Sequence, residues 1–344
     1  MARRTAMTKQ RDLKSLIRER QAKTGEAYTA ARLHVVREGV RGPDVQDAAG
    51  NDAELTQRAE AVVLKVNEQS ARLRIIGEDG QVTMRMSSYD AWRLVPGHVA
   101  TIVVGKRWSW RGYAYASGQL EGARFDVAKL GLDPLPLTGG DLQNVAQSSE
   151  PFDDPADAYT QLWQRFTASP RPAFEFDPIA WGALPGREDD DNPTCDAAEL
   201  AEMDDQEGAT ELLMDTVCEE MRCIDAHAHL GNWAFEHSPK KALLHYEVGV
   251  AIGELSLPAG FNGLLPWGVI YNRPFLRCLH GYGLCLWRLG KPAEAQMVFE
   301  RILSLNPNDN QGVRFCWDDV RRGRTWEESH RGEDEAATRR RDLN

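Results

Sequence analysis

Short hydrophobic runs alternate with turn residues through residues 58–137. The runs, such as AVVLKV and ATIVVG, are rich in β-branched residues, and the turns include Glu78-Asp79-Gly80 and Val95-Pro96-Gly97. Several short strands with no long helical pattern between them predict a small antiparallel β-barrel-like domain. The C-terminal third carries a helical pattern instead, so the expected fold class is α+β with more than one domain.

The first 41 residues predict a basic helical hairpin. Leu13, Leu16 and Ile17 form an apolar stripe at helical spacing, and a Lys-Thr-Gly turn separates it from a weaker second stripe. The polar stretch over residues 42–57 is expected to be a linker, because it is rich in residues that favour turns.

Two segments of the C-terminal third share one order of small and aromatic residues. Tyr282–Pro307 places a glycine in a first helix, then a small and an aromatic residue in a second helix, at Gly283, Ala295 and Phe299. Asp225–Tyr246 repeats this order at Gly231, Ala242 and Tyr246. Small residues at close-packed positions let two helices approach, so each segment predicts a helical hairpin.

With Gly290 in its turn and Pro307 at its end, the second segment resembles the tetratricopeptide (TPR) superfamily. The resemblance is to bacterial cytosolic TPR-containing proteins with a short basic N-terminal helical segment. A TPR unit is about 34 residues of helix–turn–helix that buries its apolar side by stacking on neighbours. Gly231 and Gly283 are 52 positions apart, so an insert that includes residues 258–275 separates the units. Its prolines exclude a continuous helix, and we expect a loop packed against the repeats.

Further helices should cap this pair, because fewer than about three units rarely hold together. Two segments are candidates for caps, Ala197–Met221 and Gly312–Arg322. The expected division of the chain is a basic helical segment (1–41), a linker (42–57), the barrel-like domain (58–137), an irregular Pro/Asp-rich connector (138–195), a TPR-like helical domain (196–325) and a disordered charged tail (326–344).

Resemblance to the TPR superfamily implies a protein-binding role. TPR arrays bind ligands mainly through the first helix of each unit, on the concave side. The matching positions are Asp225, Asn232 and Glu236 in one unit and Arg277, His280, Leu284 and Arg288 in the next. An asparagine at position 232 can bond a ligand backbone. The alternative is that the insert fills this groove and leaves the same residues a structural role.

The segment KRWSWRGYAY interleaves cations with aromatic residues at strand spacing. Small barrels use such a face to stack bases and bind phosphates, so nucleic acid is a possible partner. The candidate residues are Lys106, Arg107, Trp108, Trp110 and Arg111, joined by Arg11, Lys14 and Arg18 of the basic N-terminal segment. The favoured alternative places the aromatic residues in the barrel core and the cations in solvent.

Asp225-Ala-His-Ala-His-Leu230 matches the D-x-H-x-H metal ligands of amidohydrolases. That motif requires a preceding apolar strand in a barrel of about 250 residues, whereas charged residues precede it here. Two groups of residues could also be metal ligands: Cys218 and Cys223 with His227 and His229, and Cys278 with His280 and Cys285. Neither group has the paired C-x2-C spacing of a structural zinc site. We therefore expect no metal and no cofactor, and only a remote alternative remains, a metal-dependent hydrolase around His227 and His229.

The net charge of −11 conceals an asymmetry, because residues 1–41 carry +7 and the remainder carries −18. Overall acidity argues against general nucleic-acid binding. The six scattered cysteines and the lack of a long apolar run predict a cytoplasmic protein that does not enter a membrane. The leading hypothesis is a non-enzymatic interaction or scaffold protein with a protein partner. The alternative is an RNA- or ribosome-associated factor.

Overall fold

The computed structural model describes residues 57–140, 156–186 and 192–331. The predicted basic helical hairpin, with Arg11, Lys14 and Arg18, lies outside the described residues. The chain divides into two compact units, and Asp196–Glu211 are the described residues of the smaller one.

A closed five-stranded barrel occupies the first part of the larger unit. Its strands are β1 (Gln57–Asn67), β2 (Ser70–Ile75), β3 (Val82–Arg85), β4 (His98–Trp110) and β5 (Tyr113–Phe125), and helix α1 (Ser88–Trp92) follows β3. They close in the order β1-β2-β3-β5-β4. The predicted barrel is therefore present. It differs from the expectation in one pair, since β3 and β5 run parallel.

Strand β1 is buried on both of its faces. Ala61 and Val63 enter the barrel core, whereas Val62 and Leu64 belong to a second core that extends into the helical region. Successive side chains of a strand point to opposite faces, so one apolar run serves both cores. This explains why the middle of β1, residues 61–64, is continuously hydrophobic.

A short connector follows the barrel. It contains helix α2 (Val127–Leu130), strand β6 (Leu137–Gly139), helix α3 (Ala158–Thr167), strand β7 (Phe174–Phe176) and a 3-10 turn over Pro178–Trp181. Strands β6 and β7 form a two-stranded antiparallel sheet. Asp157 caps α3 by accepting a hydrogen bond from the Thr160 N–H, at 3.0 Å. The connector is thus more regular than its proline content indicated.

The smaller unit includes parts of two helices, α4 (Pro193–Glu202) and α5 (Gln206–Glu219). The candidate cap segment Ala197–Met221 therefore contains two helices rather than a single continuous one. Asp204 has a positive φ of 61°, and the Asp205 carboxylate accepts a hydrogen bond from the Gly208 N–H at 2.9 Å. These two residues end one helix and begin the next.

Two successive helical hairpins lie where the repeated segments predicted them. The first consists of α6 (Ile224–Phe235) and α7 (Pro239–Ser256), and the second of α8 (Arg273–Arg288) and α9 (Pro292–Leu305). A Cβ atom on Gly231 would lie 2.6 Å from the Tyr246 ring, and one on Gly283 would lie 2.5 Å from the Phe299 ring. Glycine is required at both positions because the aromatic ring of the second helix fills the space.

The insert between the hairpins is a loop, as predicted, up to a 3-10 turn over Ile270–Asn272. Leu265 is fully buried, and its N–H donates to the Leu305 carbonyl at 2.8 Å. Helix α10 (Val313–Arg321) follows the second hairpin, at the predicted second cap. Among the residues that the structure describes, each helix is too short or too polar to cross a lipid bilayer.

Residues 326–331 are also helical, although the sequence predicted a disordered tail from residue 326 onward. The Trp326 ring meets the Trp287 ring edge-on, with centroids 5.4 Å apart, and the Phe235 ring at 5.6 Å. The described part of the chain therefore continues past α10 and packs against both helical hairpins.

Candidate binding sites

A cavity of about 190 Å³ opens between the two helical hairpins. We call it the groove. Its lining residues come from α6, α7, α8 and the segment before α10, and they are Asn232, Phe235, Tyr246, Arg277, His280, Gly281, Leu284 and Gln311. Four of the residues predicted for the concave face thus line one cavity: Asn232, Arg277, His280 and Leu284.

The Asn232 amide is held in one orientation. The Tyr246 hydroxyl donates to Asn232 Oδ1 at 2.6 Å. Because this bond uses the oxygen, the two N–H donors of the amide are directed elsewhere. Tyr246 itself is fixed by packing, since Gly231 and Gly281 both face its ring at distances that only a glycine permits.

Two buried polar atoms of the groove residues lack hydrogen-bond partners among the described residues. They are His280 Nε2 and Gln311 Oε1. Gln311 is anchored through its other end, because its Nε2 donates to the Leu276 carbonyl at 3.3 Å. Burial lowers the pKa of His280 to about 4, so its ring is neutral near pH 7 and offers one donor and one acceptor. A buried polar atom without a partner is costly, and a ligand that bonds it gains that free energy.

Asp225 lies beneath the groove rather than on its surface. Its side chain is only 3% exposed, and Oδ1 accepts a hydrogen bond from Arg277 Nη1 at 2.9 Å. Thr194 Oγ1 donates to the other carboxylate oxygen at 3.3 Å. Asp225 therefore holds Arg277 in place, while the guanidinium of Arg277 lines the groove.

Arg288 and Glu236 lie at one end of the two hairpins. Arg288 Nη1 donates to the Phe235 carbonyl at 2.8 Å, and Nη2 donates to the Glu236 carbonyl at 3.4 Å. The same guanidinium lies 5.6 Å from the Trp326 ring centroid. Arg288 thus satisfies backbone carbonyls at the C-terminal end of α6, and Glu236 contributes its backbone rather than its carboxylate to this contact.

The insert packs against the second hairpin and the connector. Its Leu264 forms a parallel bridge with Ala173, and the Trp267 N–H donates to Asn306 Oδ1 at 3.2 Å. The residues that line the groove come from other segments. The alternative in which the insert fills the groove is therefore not supported, because the lining residues all lie outside the insert, whose Trp267 ring instead lies beside the Arg277 guanidinium at 5.7 Å.

Strands β4 and β5 are joined in a hairpin over residues 106–117, which we call the hairpin arm, and the end of its second strand, Ala114 to Ser117, also pairs with β3. The core of the barrel includes Val104 and Ala116 but none of the arm's aromatic rings. In register, Trp108 faces Tyr115 and Trp110 faces Tyr113. Because Ala116 points into the barrel, its neighbour Tyr115 points outward, and the pairs share that face. The favoured interpretation, aromatic residues in the barrel core, was wrong.

Arginines lie over the rings of the hairpin arm. The Arg85 guanidinium is 5.7 Å from the Trp108 ring centroid, and that of Arg111 is 4.5 Å from the Trp110 ring centroid. Arg107 is on the opposite face and makes a bidentate ion pair with Glu78, at 2.7 and 2.8 Å. This pairing lowers the pKa of Glu78 and neutralises Arg107 locally.

A recess of about 350 Å³ lies between the arm and the loop that joins β2 to β3. It is lined by the Arg107–Glu78 pair, by Trp108 and Tyr115, and by Asp79 among others. Lys106 is exposed at the base of the arm. The hairpin arm thus contains all five predicted residues, which are Lys106, Arg107, Trp108, Trp110 and Arg111. Arg107 lies on the face of the arm opposite the tryptophan rings.

The D-x-H-x-H motif lies within helix α6. His227 is fully buried, and its Nε2 lies 3.2 Å from the Met221 carbonyl, whereas His229 Nε2 lies 3.6 Å from the Asp225 carboxylate. Within residues 57–140, 156–186 and 192–331, no three Asp, Glu, His or Cys side chains are arranged to hold a metal ion. A helix also presents these residues differently from a barrel strand.

The sequence alone did not identify Tyr246, Phe235 and Gln311 as groove residues. The repeat pattern assigns Tyr246 to packing, and only the structure shows that its hydroxyl also reaches Asn232. Gln311 lies outside both repeats and carries no local signal.

Comparison with protein-family models, with curated proteins and with solved structures finds no significant match to this chain.

Proposed function

We propose that this protein is a non-enzymatic interaction protein whose TPR-like hairpins bind an extended segment of a protein partner in the groove. One observation carries the proposal: several groove residues have polar atoms that are held in place but lack a hydrogen-bond partner. Gln311 Oε1 is an acceptor without a partner among the described residues, and His280 Nε2 is a ring nitrogen in the same state. The Asn232 amide supplies oriented donors beside them.

A polypeptide main chain matches this arrangement, because each peptide unit carries one N–H donor and one carbonyl acceptor. The donors of Asn232 suit a carbonyl, and the Gln311 acceptor suits an N–H. Phe235 and Leu284 supply apolar contacts along the same cavity. With a volume of about 190 Å³ the groove accommodates a short stretch, so affinity depends on a few residues of the partner.

The exposed guanidinium of Arg277 adds a preference for negative charge. Its side chain is 34% exposed although one nitrogen is paired with Asp225. A carboxylate on the bound segment would therefore contribute a charge-assisted hydrogen bond. TPR superfamily membership, which rests on the repeat pattern alone, is part of the same proposal.

The experiment places a photo-reactive amino acid at Leu284 in cells that produce the full chain. The crosslinked partner peptide is identified by mass spectrometry, synthesised, and titrated against purified protein. We expect Leu284→Arg to weaken binding at least about tenfold, because a charge then replaces an apolar contact. Asn232→Ala should weaken it about three- to tenfold, the equivalent of one hydrogen bond.

Met297 provides the matched control, because it is 73% exposed on α9 and does not line the groove. Met297→Arg should leave the affinity unchanged, and a crosslinker at Met297 should not capture the same peptide. Equal binding of the peptide by wild type and Leu284→Arg, with both proteins folded by circular dichroism, would refute the proposal.

A further inference from the structure

We infer that the outer face of the hairpin arm binds single-stranded nucleic acid by stacking bases on Trp108 and Trp110. This inference goes beyond the proposed function, since it concerns another site and another class of ligand. It rests on the geometry of the half-buried rings of the arm, on the cations beside them and on the shape of the arm's turn.

The rings form a platform rather than a packed cluster. The Trp108 and Tyr115 rings are stacked at 5.8 Å with an interplanar angle of 11°. Trp110 lies two residues along the same strand, on the same face. Since the barrel core ends before these rings, they are not required to fill the barrel. The spacing of the two rings along one face of β4 is compatible with stacking against successive bases of an extended single-stranded nucleic acid.

Charge on the arm complements a phosphate backbone. Residues 106–117 contain no Asp or Glu, and their cations besides the Glu78-paired Arg107 are Lys106 and Arg111, in a chain whose net charge is −11. Arg85 joins them from the adjacent strand β3. Within the described part of the chain, neither Arg85 nor Arg111 has a carboxylate partner closer than 4.0 Å, so both guanidinium groups are available to phosphates.

The turn of the arm adds an independent observation. Arg111 has a φ of 51° and Gly112 a φ of 80°, the combination that a type I′ hairpin turn requires. Asn, Asp or Gly is preferred at the first of these positions, and an arginine there costs stability. The strained residue is the one whose guanidinium covers Trp110. A cation at the tip therefore occupies a position where the backbone alone would favour another residue.

Single-stranded rather than duplex nucleic acid fits this surface. In a duplex the base faces are covered by their neighbours, whereas a single strand exposes them for stacking, at about 1–3 kcal/mol per base. The arm is narrow and has few cations, so it can make few contacts with the two phosphate backbones of a duplex. Sequence preference should be weak, since every base has a face to stack.

Fluorescence anisotropy of labelled 12-mers tests the inference with purified full-length protein at low salt. The probes are oligo-U RNA, oligo-dT DNA and a 12-base-pair duplex. We expect both single strands to bind and the duplex to bind at least about tenfold more weakly. Each single strand should also quench tryptophan fluorescence. Salt should weaken binding with a logarithmic slope of about −2, for roughly three phosphate contacts.

Two variants identify the surface. Trp108→Ala combined with Trp110→Ala should lower the affinity at least about tenfold, from the loss of two stacked bases. Arg111→Gly removes the guanidinium but suits the left-handed turn, so it should keep the arm folded and reduce the salt slope by about 0.7.

Trp92→Ala is the matched control, because Trp92 is 54% exposed on helix α1, outside the arm. It should leave the affinity unchanged, and so should Leu284→Arg in the groove. Absence of single-strand binding by wild type at low salt overturns the inference. So does equal affinity for the duplex, full binding by the double tryptophan variant, or an equal loss in Trp92→Ala. Tighter binding of oligo-U than of oligo-dT would support the inference and assign RNA as the ligand.

Discussion

Gly283 illustrates how a single residue sets the packing of a hairpin. A Cβ at this position would lie 2.5 Å from a ring atom of the fully buried Phe299, closer than real Cβ contacts allow. Phe299 also meets the His280 ring edge-on at 6.3 Å, so its displacement would be transmitted to a groove residue. The helix propensity of alanine would favour the substitution by about 1 kcal/mol, whereas overpacking costs about 1–3 kcal/mol.

We therefore predict that Gly283→Ala destabilises the protein by up to about 2 kcal/mol despite its better helix propensity. Chemical denaturation measures the difference. Gly122→Ala serves as the control, because a Cβ on Gly122 would meet nothing within 4 Å. A stability equal to or above that of wild type in Gly283→Ala would show that the two helices do not pack as closely as described.

Asn272 connects three elements through one side chain. It is fully buried, and its Oδ1 accepts a hydrogen bond from the Phe176 N–H at 3.1 Å. Its Nδ2 donates to the Phe174 carbonyl at 2.9 Å and to the Pro266 carbonyl at 3.2 Å. Strand β7, the insert and the start of α8 are therefore joined at a single amide.

Replacing Asn272 with alanine should destabilise the protein by roughly 2–4 kcal/mol, because buried backbone groups lose their partners. Chemical denaturation of the variant gives the value. Asn67, which makes an exposed side-chain hydrogen bond to Ser70, provides the comparison, and Asn67→Ala should change stability by less than about 0.5 kcal/mol. A loss in Asn272→Ala no larger than that in Asn67→Ala would contradict the structural role of the amide.

Elements governed by local patterns were predictable from the sequence, and those set by distant partners were not. The spacing of Gly231 and Gly283 located both helical hairpins, since the contacts that require glycine lie within each hairpin. The parallel pairing of β3 with β5 joins segments about 30 residues apart and leaves no local trace. Similarly, the alternation of side chains along a strand predicted that Trp108 and Trp110 share one face of the strand. It did not predict that this face points away from the barrel core.

At the scale of the larger unit, one hydrophobic core runs from the outer face of the barrel into the helical hairpins. Lys241 of α7 reaches across this contact, where its ammonium donates to the Trp92 and Leu94 carbonyls. His98 of β4, His227 of α6 and His245 of α7 are buried, and each has an Nδ1 without a partner among the described residues. Barrel and helices therefore enclose several neutral histidines, with the half-buried Lys241 beside them.

Burial lowers the pKa of His98 and of His227 to about 4, and it lowers the pKa of His245 well below its ordinary value. In the unfolded chain these groups titrate near pH 6.5, so between that pH and about 4 the unfolded state binds more protons than the native state. Stability should therefore fall on acidification through this window. Each histidine contributes a slope of up to about 1.4 kcal/mol per pH unit.

Substituting His245 with leucine tests this prediction, because it removes one such group whatever it does to absolute stability. The free energy of unfolding is measured by urea denaturation at several values between pH 4.5 and 6.5. The slope of this free energy with pH should be smaller than in wild type by up to about 1.4 kcal/mol per pH unit, which corresponds to one proton. The exposed His237 supplies the control for replacing a histidine with leucine, and His237→Leu should keep the wild-type slope. An unchanged slope in His245→Leu would mean that this histidine is not held neutral between the barrel and the helices.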